Sequence, residues 1–165
     1  MKYEALLGEI PVRDVRGLVL ENVLTVGPEQ DIDVLLARML EDPGAHHVYV
    51  VNEQGILVGS IGTEEVLARL FPFTTVLERD RESMYMSVPQ VAADKLFEIM
   101  DPAPPTVQDS TPLAEVARIL ERDGISELPV VDRSMHLLGQ INVHDIALTY
   151  LQRSRADHPG DDICD

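Results

Sequence analysis

Two stretches carry polar side chains at a spacing that recognition chemistry can use. Asn142 and Asp145 stand three residues apart in Gly139-Gln140-Ile141-Asn142-Val143-His144-Asp145, and Glu65 stands three beyond Gly62 in Gly59-Ser60-Ile61-Gly62-Thr63-Glu64-Glu65. A carboxylate accepts hydrogen bonds strongly, and an amide such as Asn142 both donates and accepts. The same residues also make good helix starts, because Asn142 with Asp145 is close to a capping box and Thr63 is followed by acidic residues that the helix dipole favours. Ligand contact and helix capping both fit this spacing. His46 and His47 are adjacent in a β-like run, so they point to opposite faces and cannot hold one metal together. His144 and Asp145 diverge on a helix with no nucleophile nearby. The chain has no Gly-x-x-x-x-Gly-Lys-Ser/Thr loop, no Gly-x-Ser-x-Gly elbow and no His-Glu-x-x-His pair, so the sequence offers no catalytic residue and no metal-ligand set. A non-enzymatic protein is expected.

Charge narrows the partners. Thirteen Lys and Arg against 29 Asp and Glu give a net charge of −16, which disfavours nucleic acid and anionic membrane surfaces, since both are bound through cationic side chains. No apolar run approaches the ~18 residues that a membrane helix requires. The amino-terminal Met-Lys-Tyr-Glu-Ala-Leu-Leu-Gly-Glu is acidic where a signal peptide would be apolar, so the reading is a soluble, cytoplasmic protein. The single cysteine, Cys164, rules out an intramolecular disulfide and any cysteine metal spacing. With 165 residues and 45% hydrophobic content, the chain can bury the core of one compact domain or two small ones.

The elements that position the polar pairs follow from local pattern. Val48 to Val51 and Ile56 to Ile61 are apolar, β-branched runs around the turn Asn52-Glu53-Gln54-Gly55, which predicts a strand, a turn and a strand ahead of a helix opened by Thr63. Leu128 to Val131, the turn Asp132 to Met135, and Leu137 to Ile141 repeat that order. Leu24-Thr25-Val26 is a β-like stub. Ile32, Leu35, Leu36, Met39 and Leu40 then recur at helical spacing behind Asp31 as N-cap, giving a helix over residues 32–41. Leu113, Val116, Ala117 and Leu120 mark the matching helix, with Ser110 or Thr111 as cap and Pro112 in its first turn. Ile10 to Val15 fits a strand or one helical turn equally well. Val91 to Met100 suggests a helix that Asp101-Pro102-Ala103-Pro104-Pro105 stops, and residues 153–165 form an acidic tail without periodicity.

The two halves are copies. Gly59 corresponds to Gly139 and Val50 to Val130, each 80 apart (139 − 59, 130 − 50), and Thr25-Val26 corresponds to Thr106-Val107, 81 apart (107 − 26). The one-residue slip falls where Asp42-Pro43-Gly44 faces Asp123-Gly124. Two such units resemble a tandem pair of CBS domains, named for cystathionine beta-synthase and called a Bateman module. The likeness rests on Ile10-Pro11-Val12-Arg13-Asp14-Val15, Leu128-Pro129-Val130-Val131-Asp132 and the Gly139 to Asp145 stretch, and it spans residues 10–152. It implies a mixed α/β (α+β) fold of two repeats, each strand-helix-strand-strand-helix, related by a pseudo-twofold. Residues 1–71 are then the first repeat with an amino-terminal arm, 72–95 an insert, 96–152 the second repeat and 153–165 the tail.

The resemblance also implies a ligand. In this family the second strand of a repeat leads into Gly-x-x-Thr/Ser-x-x-Asp, whose hydroxyl and carboxylate hold the ribose of an adenosine-type molecule; one carboxylate can accept from both hydroxyls of that diol. Asp145 matches, Asn142 replaces the hydroxyl with an amide, Gly62 removes it, and Glu65 replaces the aspartate. The residues before the central strand, His46-His47 and Ser126-Glu127, would face a phosphate, and Thr106 stands beside them. Glu127 repels a phosphate, so the charge balance favours adenosine, cationic S-adenosylmethionine, or a nucleotide such as AMP or ATP carried with Mg²⁺ over a bare polyphosphate. The expected role is a regulatory sensor with no resident cofactor, acting on a separate protein or on its own assembly. The alternatives are a structural dimer with decayed sites and a Mg²⁺ sensor. A homodimer is expected through the apolar faces Val66, Leu67, Leu70 and Ile146, Leu148, Leu151.

Overall fold

The computed structural model describes residues 2–15, 23–63, 65–66 and 95–157. Its elements, in chain order, are α1 (Lys2–Leu7), a 3-10 turn (Val12–Asp14), β1 (Thr25–Val26), α2 (Ile32–Glu41), β2 (His47–Val51), β3 (Leu57–Gly62), α3 (Leu96–Ile99), β4 (Val107–Gln108), α4 (Leu113–Asp123), β5 (Glu127–Val131), β6 (Leu137–Asn142) and α5 (Val143–Asp157). Residues 63, 65 and 66 are helical after β3. The strand-helix-strand-strand-helix order expected of each half is therefore present in both. The undecided Ile10 to Val15 stretch is resolved as an extended entry followed by the 3-10 turn.

The chain divides into two compact units. One contains residues 22–104 and 134–137, the other residues 1–21, 105–133 and 138–165. In the first, β1 pairs parallel with β2 and β2 antiparallel with β3, giving a sheet of order β1-β2-β3. Val48 and Val50 share one face of β2 and meet Ile32 and Leu35 of α2, together with Val26, Ile61, Val66 and Leu96, in one buried cluster, while Tyr49 between them is buried on the other face. Asp31 is the N-cap of α2 by position, but its side chain does not cap. Its carboxylate accepts from Lys95 Nζ at 2.6 Å, and that bond is the main reason the Lys95 ammonium is held above its ordinary range.

Gly59 has a steric reason in this unit. Ser60 and Asp101 exchange backbone hydrogen bonds of 3.0 and 2.9 Å, which brings the 100–101 segment against β3. A Cβ on Gly59 would lie 2.8 Å from the Asp101 carbonyl oxygen and would overlap Met100 Sδ. The β2–β3 turn is held by Asn52, whose Oδ1 accepts from the amides of Gln54 and Ile56 at 3.0 Å, with Gly55 at φ +79. Segment 134–137 belongs to this unit through Leu57 N to Met135 O at 2.9 Å and Leu137 N to Gly55 O at 3.2 Å.

In the other unit the sheet order is β4-β5-β6, with β4 parallel to β5. Leu113, Val116 and Leu120 of α4 bury against Val107, Leu128, Val130 and Ile141, and Leu7, Ile10, Val12 and Val15 of the amino-terminal segment join them. The cap of α4 differs from the sequence expectation. Pro112 holds the N-cap position, and Thr111 Oγ1 accepts instead from Gln108 N at 3.0 Å. Gly124, at φ 65, closes α4 by donating to the Leu120 carbonyl. Helix α5 continues through Asp157, past the point where the sequence loses periodicity. Arg155 in its last turn complements the helix dipole there.

Each unit borrows the lead-in of the other repeat. Val12 N donates to Thr111 O at 2.9 Å, Arg13 N to Asp109 O at 2.9 Å, and Leu113 N to Ile10 O at 2.8 Å, so the first repeat's entry is built onto β4 and α4. Reciprocally, Leu96 N donates to Gln30 O and Phe97 N to Pro28 O, both at 3.0 Å, so the second repeat's entry is built onto the β1–α2 loop. The isolated bridges Pro11 to Pro112 and Asp31 to Lys95 occupy matching places in this exchange.

Candidate functional site

In the unit containing β4 to β6, three of the residues singled out from the sequence belong to one end of the sheet. Val143 N donates to Ser126 O at 3.0 Å, which sets the start of β5 against the end of β6, as an antiparallel pair requires. Asn142 closes β6, and Asp145 lies in the first turn of α5. The two cap each other: Asn142 N donates to Asp145 Oδ2 and Asp145 N to Asn142 Oδ1, both at 3.0 Å. The reciprocal pair is the capping box foreseen from their spacing. Thr149 Oγ1 donates to the Asp145 carbonyl at 2.8 Å. Thr106 immediately precedes β4, whose Val107 pairs with Val130, so it stands beside the middle of β5 and away from that end. Ser126, Asn142, Asp145 and Thr106 are all partly buried.

Glu127 is the residue whose environment the sequence did not disclose. It is only 5% exposed, and Gln140 Nε2 lies 3.4 Å from its Oε2. Burial of a carboxylate is costly without polar contact, so a strand that opens on one must supply it. A usable signal was present, because Gln140 and Asn142 are two apart on β6 and so share a sheet face.

The other unit repeats the arrangement with different side chains. Thr63 N donates to His46 O at 2.9 Å, and Gly62 N donates to Glu65 Oε2 at 3.1 Å. His47 opens β2 opposite Gly62. His46 and Glu65 are exposed and His47 is half-buried. Glu65 thus spans with its extra methylene the gap that Asp145 spans with a shorter chain. With Gly62 at the position of Asn142, the return bond from a side chain is missing. Among the described residues no group of three or more His, Cys, Asp or Glu is arranged to hold a metal, and no helix is long and apolar enough to cross a membrane.

These sheet ends fit a known pattern. A model of the CBS domain family matches residues 8–71 and again residues 96–151. A CBS domain-containing protein of Dictyostelium discoideum is 27% identical over 133 residues, which cover 80% of this chain and 87% of that protein. The crystal structure of a CBS domain-containing protein from Thermotoga maritima superposes with a TM-score of 0.68 at 28% identity, covering 87% of this chain and 96% of that one. The structure of CBSX2 in complex with AMP superposes with a TM-score of 0.69 at 25% identity, covering 88% of this chain and 98% of that one. Two sheets of the same order, each ending in the same carboxylate-to-amide bond, and two separate family matches lead to one conclusion: the chain belongs to the CBS domain family and carries two copies of the domain in tandem.

Proposed function

We propose that this protein is a non-enzymatic regulatory module that binds an adenosine-type small molecule and acts on a partner protein or on its own assembly. The observation that carries this reading is the polar end of the β4-β5-β6 sheet, where Ser126, Asn142 and Asp145 converge. Asp145 commits Oδ2 to the Asn142 amide, and a carboxylate has further acceptor positions for the hydroxyls of a ribose. The AMP complex of a similar protein supports the ligand class. The expected regulatory ligands are adenosine, AMP, ATP and S-adenosylmethionine, alone or with Mg²⁺. Titration calorimetry of the full chain against these four, with and without Mg²⁺, tests the reading. Saturable binding of at least one is expected, and no heat from any of them overturns it.

A second reading has a specific observation in its favour. The reciprocal Asn142–Asp145 bonds complete a helix cap with no ligand, which is what a purely structural module would retain. In that case Asp145→Ala lowers the melting temperature while every ligand titration stays flat.

A further inference from the structure

An apolar groove of about 780 Å³ lies between α4 and α5, and Ala117, Leu120, Ile146 and Ala147 line its length. All of its walls belong to one unit. From Val143 to Leu151 the α5 wall runs about 12 Å, a little over two turns of helix. One end of the groove is charged. There Val143 N donates to Ser126 O, and the lining includes Gly124, which closes α4, and the exposed Glu121. The Glu121 carboxylate adds to the negative carboxyl end of that helix. A matching occupant is therefore a helix with apolar side chains over two turns and a cation at the Glu121 end. Helix α5 itself has this pattern. Leu148 and Leu151 are half exposed, and the exposed Arg155 follows one turn later.

The corresponding positions of the first repeat carry no such pair. By the repeat offsets, Glu121 corresponds to Leu40 (121 − 40 = 81) and Arg155 to Thr75 (155 − 75 = 80). Leu40 is 81% exposed. Both complementary charges therefore belong to the second repeat.

We propose that two copies of the chain associate second repeat to second repeat, with α5 of each lying antiparallel along the groove of the other and Arg155 of each meeting Glu121 of the other. A twofold makes the contact self-complementary, since the chain that offers the acidic groove end also offers the cationic helix end. This pairing names the partner in the self-assembly of the proposed function, and it needs no ligand.

The test is sedimentation equilibrium of the full chain as wild type, as Glu121→Arg, as Arg155→Glu, and as an equimolar mixture of the two variants. Both positions are exposed, so the reversals are expected to leave the melting curve unchanged. Each variant alone sets like charges together twice across the twofold, and its self-association is expected to weaken about tenfold or more. In the mixed dimer both pairs are of opposite sign again, so the affinity is expected to return to within about threefold of wild type. A wild type that stays monomeric, a dimer that neither reversal weakens, or variants that do not recover on mixing overturns the pairing. The last two results are those of a dimer joined second repeat to first. None of these outcomes bears on the ligand titrations, which test the adenosine reading separately.

Discussion

Asp145 caps a helix and is the proposed ribose ligand, and the two consequences separate on substitution. Its carboxylate caps the start of α5 through Asn142, so Asp145→Ala is expected to lower unfolding free energy by about 0.5–2 kcal/mol, the range for a lost N-cap. If it also holds a ribose, the same change costs on the order of 1.5–3 kcal/mol of binding, as for hydrogen bonds to a charged group. Glu65→Ala, which removes a more exposed carboxylate, costs less of each. Thermal melts and calorimetry on both variants separate the two contributions. Met135 offers a second residue-scale test. It adopts φ 66 in the β5–β6 turn, where the first repeat has Gly55 at φ 79. A side chain in the left-handed region costs roughly 1–2 kcal/mol, part of which glycine returns as unfolded-chain entropy. Met135→Gly is therefore expected to raise stability by about 0.5–1 kcal/mol in urea denaturation.

At the scale of elements, short segments matter out of proportion to their length. Helix α3 has four residues, yet Leu96 is fully buried in the core of the unit built from the first repeat. The ladder between Ser60 and Asp101 holds the following segment against β3, and it can do so only because residue 59 has no Cβ. Gly59→Ala drives a methyl into the Asp101 carbonyl and Met100. It is expected to cost about 1–3 kcal/mol, the range for overpacking a filled site, read as a lower denaturation midpoint at unchanged slope. An unchanged midpoint would mean that the 100–101 segment moves aside freely.

At the scale of the molecule, the faces expected to meet a second copy are only partly free to do so. Val66 is 1% exposed and is used inside its own unit, so it cannot also contribute to a contact between chains; Leu67 and Leu70 lie outside the described residues. On α5, Leu148 and Leu151 are 51% and 50% exposed, as is Val143 at 51%. Beside them an apolar groove of about 780 Å³ runs between Leu7 of α1, Leu120 of α4 and Ile146 and Tyr150 of α5. Exposed apolar surface of this kind favours association. Light scattering at high protein concentration is expected to return twice the 18.3 kDa chain mass, and Leu148→Glu with Leu151→Glu to return the monomer. A monomer in the wild type would overturn the expected homodimer.

Much of this architecture was legible because it is local. The apolar, β-branched runs Val48 to Val51 and Leu128 to Val131, helical spacing from Ile32 to Leu40, and the 80-residue offset (139 − 59) that links Gly59 with Gly139 are all patterns written along the chain. The Asn142–Asp145 capping box is likewise a three-residue relation, and the structure has it in full. What depends on distant partners was not legible. Asp31 looked like a helix cap because its neighbours are helical, but its charge is claimed by Lys95, 64 positions away. The exchange of lead-in segments is decided by which unit offers unfilled core and free backbone groups to residues 10–15 and 95–101, and no periodicity records that. Whether Glu127 is solvated or buried depends on what closes over the end of β5, so its 5% exposure, and with it the contrast to His47, belongs to the tertiary structure alone.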